Sequence, residues 1–289
     1  MNNVLTPNFQ ISTFPIFIYT MPYYTKYLDY ESRMADSLNT ELDTIPENPL
    51  RPKNLKDFVG QKNVKGNLAI YIEAAKRRHE PLDHVCLYGP NGVGKSTLAE
   101  IIANEMKTNL RISSGEEITS KNELDAVLSS VSEGDVLFID EIQTLKPHLQ
   151  KILSAAINNF AIDISESSTE SDYHIMLPKF TLVAATSNLE EISDMLMDSF
   201  GIIEELEVYS TEDLARLISR SAEILNSTIE PDAAWEIASK CDGTPRNLSR
   251  YLKRTRDFAD IMNDGVITLD IAKQALSRIK DGTRKANVQ

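Results

Sequence analysis

Residues Gly89, Pro90, Asn91, Gly92, Val93, Gly94, Lys95, Ser96 and Thr97 satisfy Gly-x-x-x-x-Gly-Lys-[Ser/Thr] in full. The chemistry that this spacing serves is the cradling of a nucleoside triphosphate. Glycines let the backbone curl so that successive N–H groups face a phosphate, and a following helix N-terminus adds positive potential. Lys95 would reach the β- and γ-phosphates, and the Ser96 hydroxyl would ligate Mg²⁺. The plainer alternative is a glycine-rich turn, but the flanks argue for a cradle. His84-Val-Cys-Leu-Tyr88 reads as a buried strand, and Leu98, Ile101, Ile102 and Met106 repeat at helical spacing after the loop.

Further along, Asp135-Val-Leu-Phe-Ile-Asp140-Glu141 is an apolar run ending in two acids. In a sheet built around a phosphate loop, a carboxylate ending a neighbouring strand holds Mg²⁺, the role expected of Asp140. Glu141 beside it has the chemistry of a general base for the attacking water. The apolar run from Phe180 likewise ends in polar groups, Thr186-Ser187-Asn188, that could orient that water. Arg246, in Gly243-Thr-Pro-Arg, stands at a helix start where a guanidinium could bridge to a γ-phosphate.

The elements that must position these groups alternate along the chain. Strands are expected near 84–88, 109–112, 135–139, 180–186 and 202–208. Helices are expected near 63–78, 95–106, 121–131, 146–160, 189–198 and 211–225. Such alternation specifies an α/β fold with a mainly parallel sheet covered by helices on both faces. A β-hairpin insertion at 160–177 interrupts it, around the polar tip Glu166–Asp172. From about residue 228 the strands stop and three helix starts follow, at Glu230-Pro, Thr244-Pro and Thr268. The expected organisation is an N-terminal extension over 1–46, a large α/β domain over 47–227 and a helical lid over 228–289. The extension holds eight aromatics between Phe9 and Tyr30, broken by Pro7, Pro15 and Pro22. It reads either as a docking segment or as residues upstream of the working start, with Met21 and Met34 as alternative starts.

Composition narrows the class. With 42% apolar and 25% charged residues among 289, the chain is that of a soluble globular protein. No stretch approaches a membrane span, and the start lacks the basic residues of a secretory signal. Two cysteines, Cys86 and Cys241, make neither a disulfide framework nor a metal site and fit a reducing, cytoplasmic setting. The net charge of −13 argues against a uniformly basic nucleic-acid binder. The last 50 residues nevertheless carry 11 Lys/Arg against 6 Asp/Glu, which suits either a polyanion contact or a solvated lid surface.

Taken in order, these positions resemble the RuvB family of AAA+ ATPases, the motors of Holliday-junction branch migration. The likeness is carried by Leu50-Arg-Pro-Lys53, Phe58-Val-Gly-Gln61, Leu82-Asp-His84, the phosphate loop, Ile102-Ala-Asn-Glu-Met106, Val136–Ile142, Phe200-Gly-Ile202, Ser219-Arg-Ser221, Gly243–Arg246 and Arg256-Asp-Phe-Ala259. It spans about residues 50–280. It implies an AAA+ domain and lid with ATP between them, and an adenine pocket near Leu50, Arg51, Phe58 and Val59. It further implies Ser187 at the first sensor position, Arg246 at the second, and a hairpin that engages a partner protein, RuvA in the family.

Three departures qualify it. Where the family has Leu-Arg-Asp-Arg-Phe-Gly, this chain reads Leu196-Met-Asp-Ser-Phe-Gly201, so the arginine finger is replaced at Met197 and Ser199. Asn188 stands where the family has an arginine after the first sensor. The sequence stops where the family continues into a DNA-contacting winged helix, so duplex DNA is not expected to be gripped in the usual way. The leading expectation is a RuvB-like ATPase, using ATP and Mg²⁺ in a homo- or hetero-oligomer and acting in recombination or replication, directly or indirectly on DNA. The alternative is an ATP-binding adaptor or loader subunit with little turnover of its own.

Overall fold

The computed structural model describes residues 50–164 and 173–279; they belong to one compact unit spanning Ile45–Gln289. The aromatic N-terminal segment and the tip of the expected hairpin lie outside the described residues.

The order begins with helix α1 (Lys62–Arg78), strand β1 (Val85–Tyr88), α2 (Lys95–Met106), β2 (Leu110–Ser114), α3 (Lys121–Ser129) and β3 (Val136–Asp140). Helix α4 (Pro147–Asn159), strands β4 (Ala161–Ile164), β5 (Tyr173–Met176) and β6 (Thr181–Thr186), α5 (Asp194–Met197), β7 (Ile202–Glu205) and α6 (Thr211–Ile224) follow. The chain continues through β8 (Thr228–Ile229), α7 (Pro231–Ala238), α8 (Leu248–Met262), β9 (Val266–Ile267) and α9 (Leu269–Arg278).

Five strands form one parallel sheet in the order β2-β3-β6-β1-β7. Its three inner strands β1, β3 and β6 are buried and apolar almost without break because both faces are covered. Along β3, Val136 and Phe138 enter one core with Leu68, Leu98 and Ile102, whereas Leu137 and Ile139 enter the other with Leu124, Leu153 and Phe180. This two-sided burial explains why period-two alternation is missing from the sequence of β3 and β6. Strands β2 and β7 close the sheet's two sides with one neighbour each among the described residues. On β7, Ile202 and Glu204 turn inward while Ile203 and Glu205 face out.

Where the hairpin is expected, β4 and β5 pair antiparallel with Ala161 opposite Met176. Two details differ. The expected helix over 189–198 is a 3-10 turn at Leu189–Glu191 followed by the one-turn α5. It breaks because Asn188 caps the turn by accepting from the Glu190 N–H (3.1 Å), and the Ser193 N–H is drawn to Gln150 Oε1 (2.7 Å). Strands also persist past residue 228, since β8 and β9 pair parallel over two residues and tie the lid's loops together. Both thiols are buried, and burial pushes Cys86 up to about 12 and Cys241 up to about 11, which leaves them unreactive at neutral pH. Among the described residues no helix is long and apolar enough to cross a membrane.

Candidate functional site

Parallel strands deliver their C-terminal ends to one rim of the sheet, where open α/β folds bind ligands. Three adjacent strands do so here. The loop after β1 carries residues 89–94, β3 ends on Asp140, and β6 ends on Thr186 before Ser187. The rim is held level by register: Tyr88 lies opposite Thr186, and the Gly89 N–H continues the ladder to the Thr186 carbonyl at 3.2 Å.

Lys95 opens α2, with Gly94 as its N-cap and no side chain capping the first turn. The orphan N–H groups of that turn, with Ser96 and Thr97 on it, therefore face the cavity that the loop borders. Only 6% of Lys95 is exposed; its ammonium donates to the carbonyls of Gly89 (2.6 Å) and Pro90 (3.1 Å). Burial lowers its pKa, against which Glu141 and then Asp140 pull upward. Burial likewise raises the half-buried Asp140, with the nearby Glu141 charge adding to it. The Glu141 N–H, donating to Asp140 Oδ1 at 3.0 Å, works the other way, as do Lys95 and Arg246. Two cations and two carboxylates thus stand in mutual range at the rim.

Val93 is fully buried and anchors the loop from below. Gly92, at φ +85°, is required for a different reason. A Cβ there would lie 2.9 Å from Arg246 Cβ, so the missing side chain lets the lid arginine rest on the phosphate loop. Arg246 sits in a 3-10 turn, Pro245–Asn247, just before α8.

A cavity of about 430 Å³ lies between these elements. Asn91, Gly92, Gly94 to Thr97, Asp140, Glu141 and Arg246 line its polar end, and the four residues expected around an adenine, Leu50, Arg51, Phe58 and Val59, line it too. Phe58 lies close on the loop, its ring carbon Cζ 3.2 Å from where a Cβ on Gly94 would be. Gly89, Pro90, Val93 and Ser187 support the site without lining the cavity. Ser187 instead donates to Glu141 Oε2 at 3.3 Å.

Sequence reasoning missed Tyr209, Leu217, Ser221 and Pro245, which the lid side brings to the cavity. Tyr209 is the joint: its N–H donates to the Gly243 carbonyl at 2.7 Å, while Gln61 and Glu207 exchange side-chain to backbone bonds of 2.6 and 3.2 Å just ahead of it. Position 199, where the resemblance puts an arginine, points inward. Ser199 is 9% exposed, and its Oγ meets Ser154 Oγ at 2.9 Å, Asn158 Nδ2 at 2.9 Å and the Met195 carbonyl at 3.1 Å. Met197 is half-buried against the second core.

Comparison with known proteins gives concordant results. The family model described as the Holliday junction DNA helicase RuvB P-loop domain matches residues 50–206, and the RuvB AAA lid domain matches residues 209–280. The Holliday junction branch migration complex subunit RuvB of Lactobacillus johnsonii is 45% identical over 253 residues, covering 87% of this chain and 75% of that protein. The solved structure described as the Thermotoga maritima RuvB Holliday junction branch migration motor superposes with a TM-score of 0.72 at 40% identity, over 80% of this chain and 73% of that one. A point mutant of the same Thermotoga maritima protein gives 0.73 at 42% identity, over 79% and 72%.

Proposed function

The chain belongs to the RuvB family of Holliday junction DNA helicases, and we propose that it binds ATP with Mg²⁺ and hydrolyses it to remodel DNA strands in recombination. The observation that supports this most is the convergence of Lys95, Asp140 and Glu141 on one cavity with the lid arginine Arg246. Lys95 and the first turn of α2 bind the phosphates, and Leu50, Arg51, Phe58 and Val59 enclose the base. Arg246 links the lid to the phosphate end. Ser96 and Asp140 fit a magnesium ion, which supplies charge neutralisation on the phosphates when bound. Among the described residues no cluster of three or more His, Cys, Asp or Glu stands ready for a metal. That suits an ion taking its remaining ligands from phosphate and water. Glu141 accepts a proton from the attacking water, and Ser187 holds that carboxylate.

The DNA substrate and the partner at residues 160–177 belong to this proposal as well. Within an oligomer, Met197 and Ser199 leave this chain's face without the arginine that would stabilise a neighbour's γ-phosphate. Full turnover then draws on an arginine from a different subunit. The test is ATP turnover by the purified chain with and without four-way junction DNA. Wild type should exceed Lys95→Ala and Glu141→Gln by roughly 100-fold or more, and equal rates in all three would refute hydrolysis at this site.

A further inference from the structure

We infer that Gln143 is a positioning residue for ATP hydrolysis, holding the Glu141 carboxylate by one oxygen so that the other is presented to water. The inference rests on the hydrolytic reading above and adds a residue to it.

Glu141 is unusually constrained for a side chain that must meet a water molecule. Its backbone is left-handed, at φ +48°, which few non-glycine residues adopt. Its carbonyl accepts from the Thr144 N–H at 2.9 Å and from Thr144 Oγ1 at 2.8 Å. Gly115 packs so closely that a Cβ there would lie 2.6 Å from that same carbonyl oxygen. The main chain is therefore fixed, and what remains free is the swing of the three side-chain torsions.

Gln143 removes that freedom. Its Nε2 donates to Glu141 Oε2 and to Ser187 Oγ (3.3 Å), while Ser187 Oγ donates to the same Oε2 at 3.3 Å. Amide, hydroxyl and carboxylate thus close a triangle in which both amide hydrogens are used. The amide's orientation is dictated by chemistry: an ionised carboxylate accepts only, so a flipped amide would set oxygen against oxygen. That orientation leaves Gln143 Oε1 buried and unpartnered. Packing alone would not favour such an arrangement, since buried acceptors ordinarily find donors. Both donated bonds fall on Oε2, and among the described residues no group donates to Oε1. The carboxylate is thereby anchored at one oxygen and open at the other, as a base that must accept a proton at a fixed place requires.

The experiment is single-turnover ATP hydrolysis by the full chain, with binding of a fluorescent ATP analogue and melting temperature measured alongside. Gln143→Leu, similar in size but unable to donate, should slow hydrolysis about tenfold with affinity within about twofold and melting unchanged. Gln143→Glu, which sets a second carboxylate beside the first, should be slower still. In the Glu141→Gln background the Gln143→Leu change should add nothing, because both act through one group. An unaltered rate in Gln143→Leu while Glu141→Gln is inactive would overturn the inference alone. So would a loss of affinity equal to the loss of rate, or a full additive effect in the double variant. A wild-type rate no higher than that of Lys95→Ala would instead overturn the hydrolytic reading, and the inference with it.

Discussion

Ser199→Arg restores a guanidinium where the family resemblance places one, and the geometry around Ser199 sets what that should cost. Ser199→Ala is the reference change. It deletes contacts to Ser154, Asn158 and the Met195 carbonyl. Ser154 Oγ keeps its own bond to the Met195 carbonyl at 3.0 Å, and Asn158 falls back on a long 3.5 Å contact to Ser154. With a net worth of about 0.5–1.5 kcal/mol per bond and partial rescue, the loss is about 1–2 kcal/mol. In a folded unit of this size that lowers the melting point by about 2–8 °C. An arginine that swings outward loses the same bonds and no more, so Ser199→Arg should melt within about 2 °C of Ser199→Ala. One that stays inside would bury an unpaired cation at a penalty of several kcal/mol, and would melt far lower. Given the outward case, turnover should rise by up to about 10³- to 10⁵-fold, and only at concentrations where subunits assemble. Turnover and light scattering measured together over a concentration series make the check. A variant that melts like Ser199→Ala and assembles, yet hydrolyses no faster than wild type, refutes the argument that the missing arginine limits the rate.

Two further outcomes follow from local geometry. His84 is half-buried beside Phe160 and Phe180, with Nδ1 accepting the Leu182 N–H at 2.9 Å and Nε2 facing the Ile157 carbonyl at 3.3 Å. Burial holds its pKa below 6.5, outweighing the upward pull of the Ile157 carbonyl and Asp83. The unfolded chain therefore takes up the proton first: His84's contribution is whole above pH 6.5 and declines as pH falls through 6.5 toward the lower folded pKa. Urea midpoints at neutral and mildly acidic pH should show this decline in wild type and less of it in His84→Gln; identical pH dependence would count against it. Gly92→Ala imposes a side chain at φ +85° and pushes it against Arg246. Calorimetric titration with an ATP analogue should show about tenfold weaker binding, and a penalty undiminished in an Arg246→Gly background, which removes the Cβ that the new side chain meets, would show that the contact is irrelevant.

How far the sequence could be read depended on whether the signal was local. The phosphate loop and the acids ending β3 are local, since glycine spacing and an apolar run closed by carboxylates need no tertiary knowledge. The cavity-lining residues Leu50, Arg51, Phe58 and Val59 are legible only through the family likeness, because nothing in a Leu-Arg or Phe-Val pair announces a pocket. Gln143 was invisible. Its role depends on the left-handed turn at Glu141, which glutamate rarely adopts and which Gly115 and Thr144 impose from outside. The broken helix after Asn188 has the same origin, since Gln150, distant in sequence, takes the Ser193 N–H that a continuous helix would use. Tyr209, Leu217 and Ser221 read as ordinary core or helix residues until the lid closes the cavity over them.

The sheet's two sides bear on how the fold resists pairing with strands of other chains. Strand edges with unpaired backbone groups invite a foreign strand, and so aggregation. Here β7 sets Glu204 and Glu205 along one side, and β2 sets Arg111, within 3.7 Å of Asp135, along the other. Charges at those places resist the addition of a sixth strand from another chain. Swapping Glu205 for an aliphatic residue would be felt first as loss of solubility on storage, before any loss of fold.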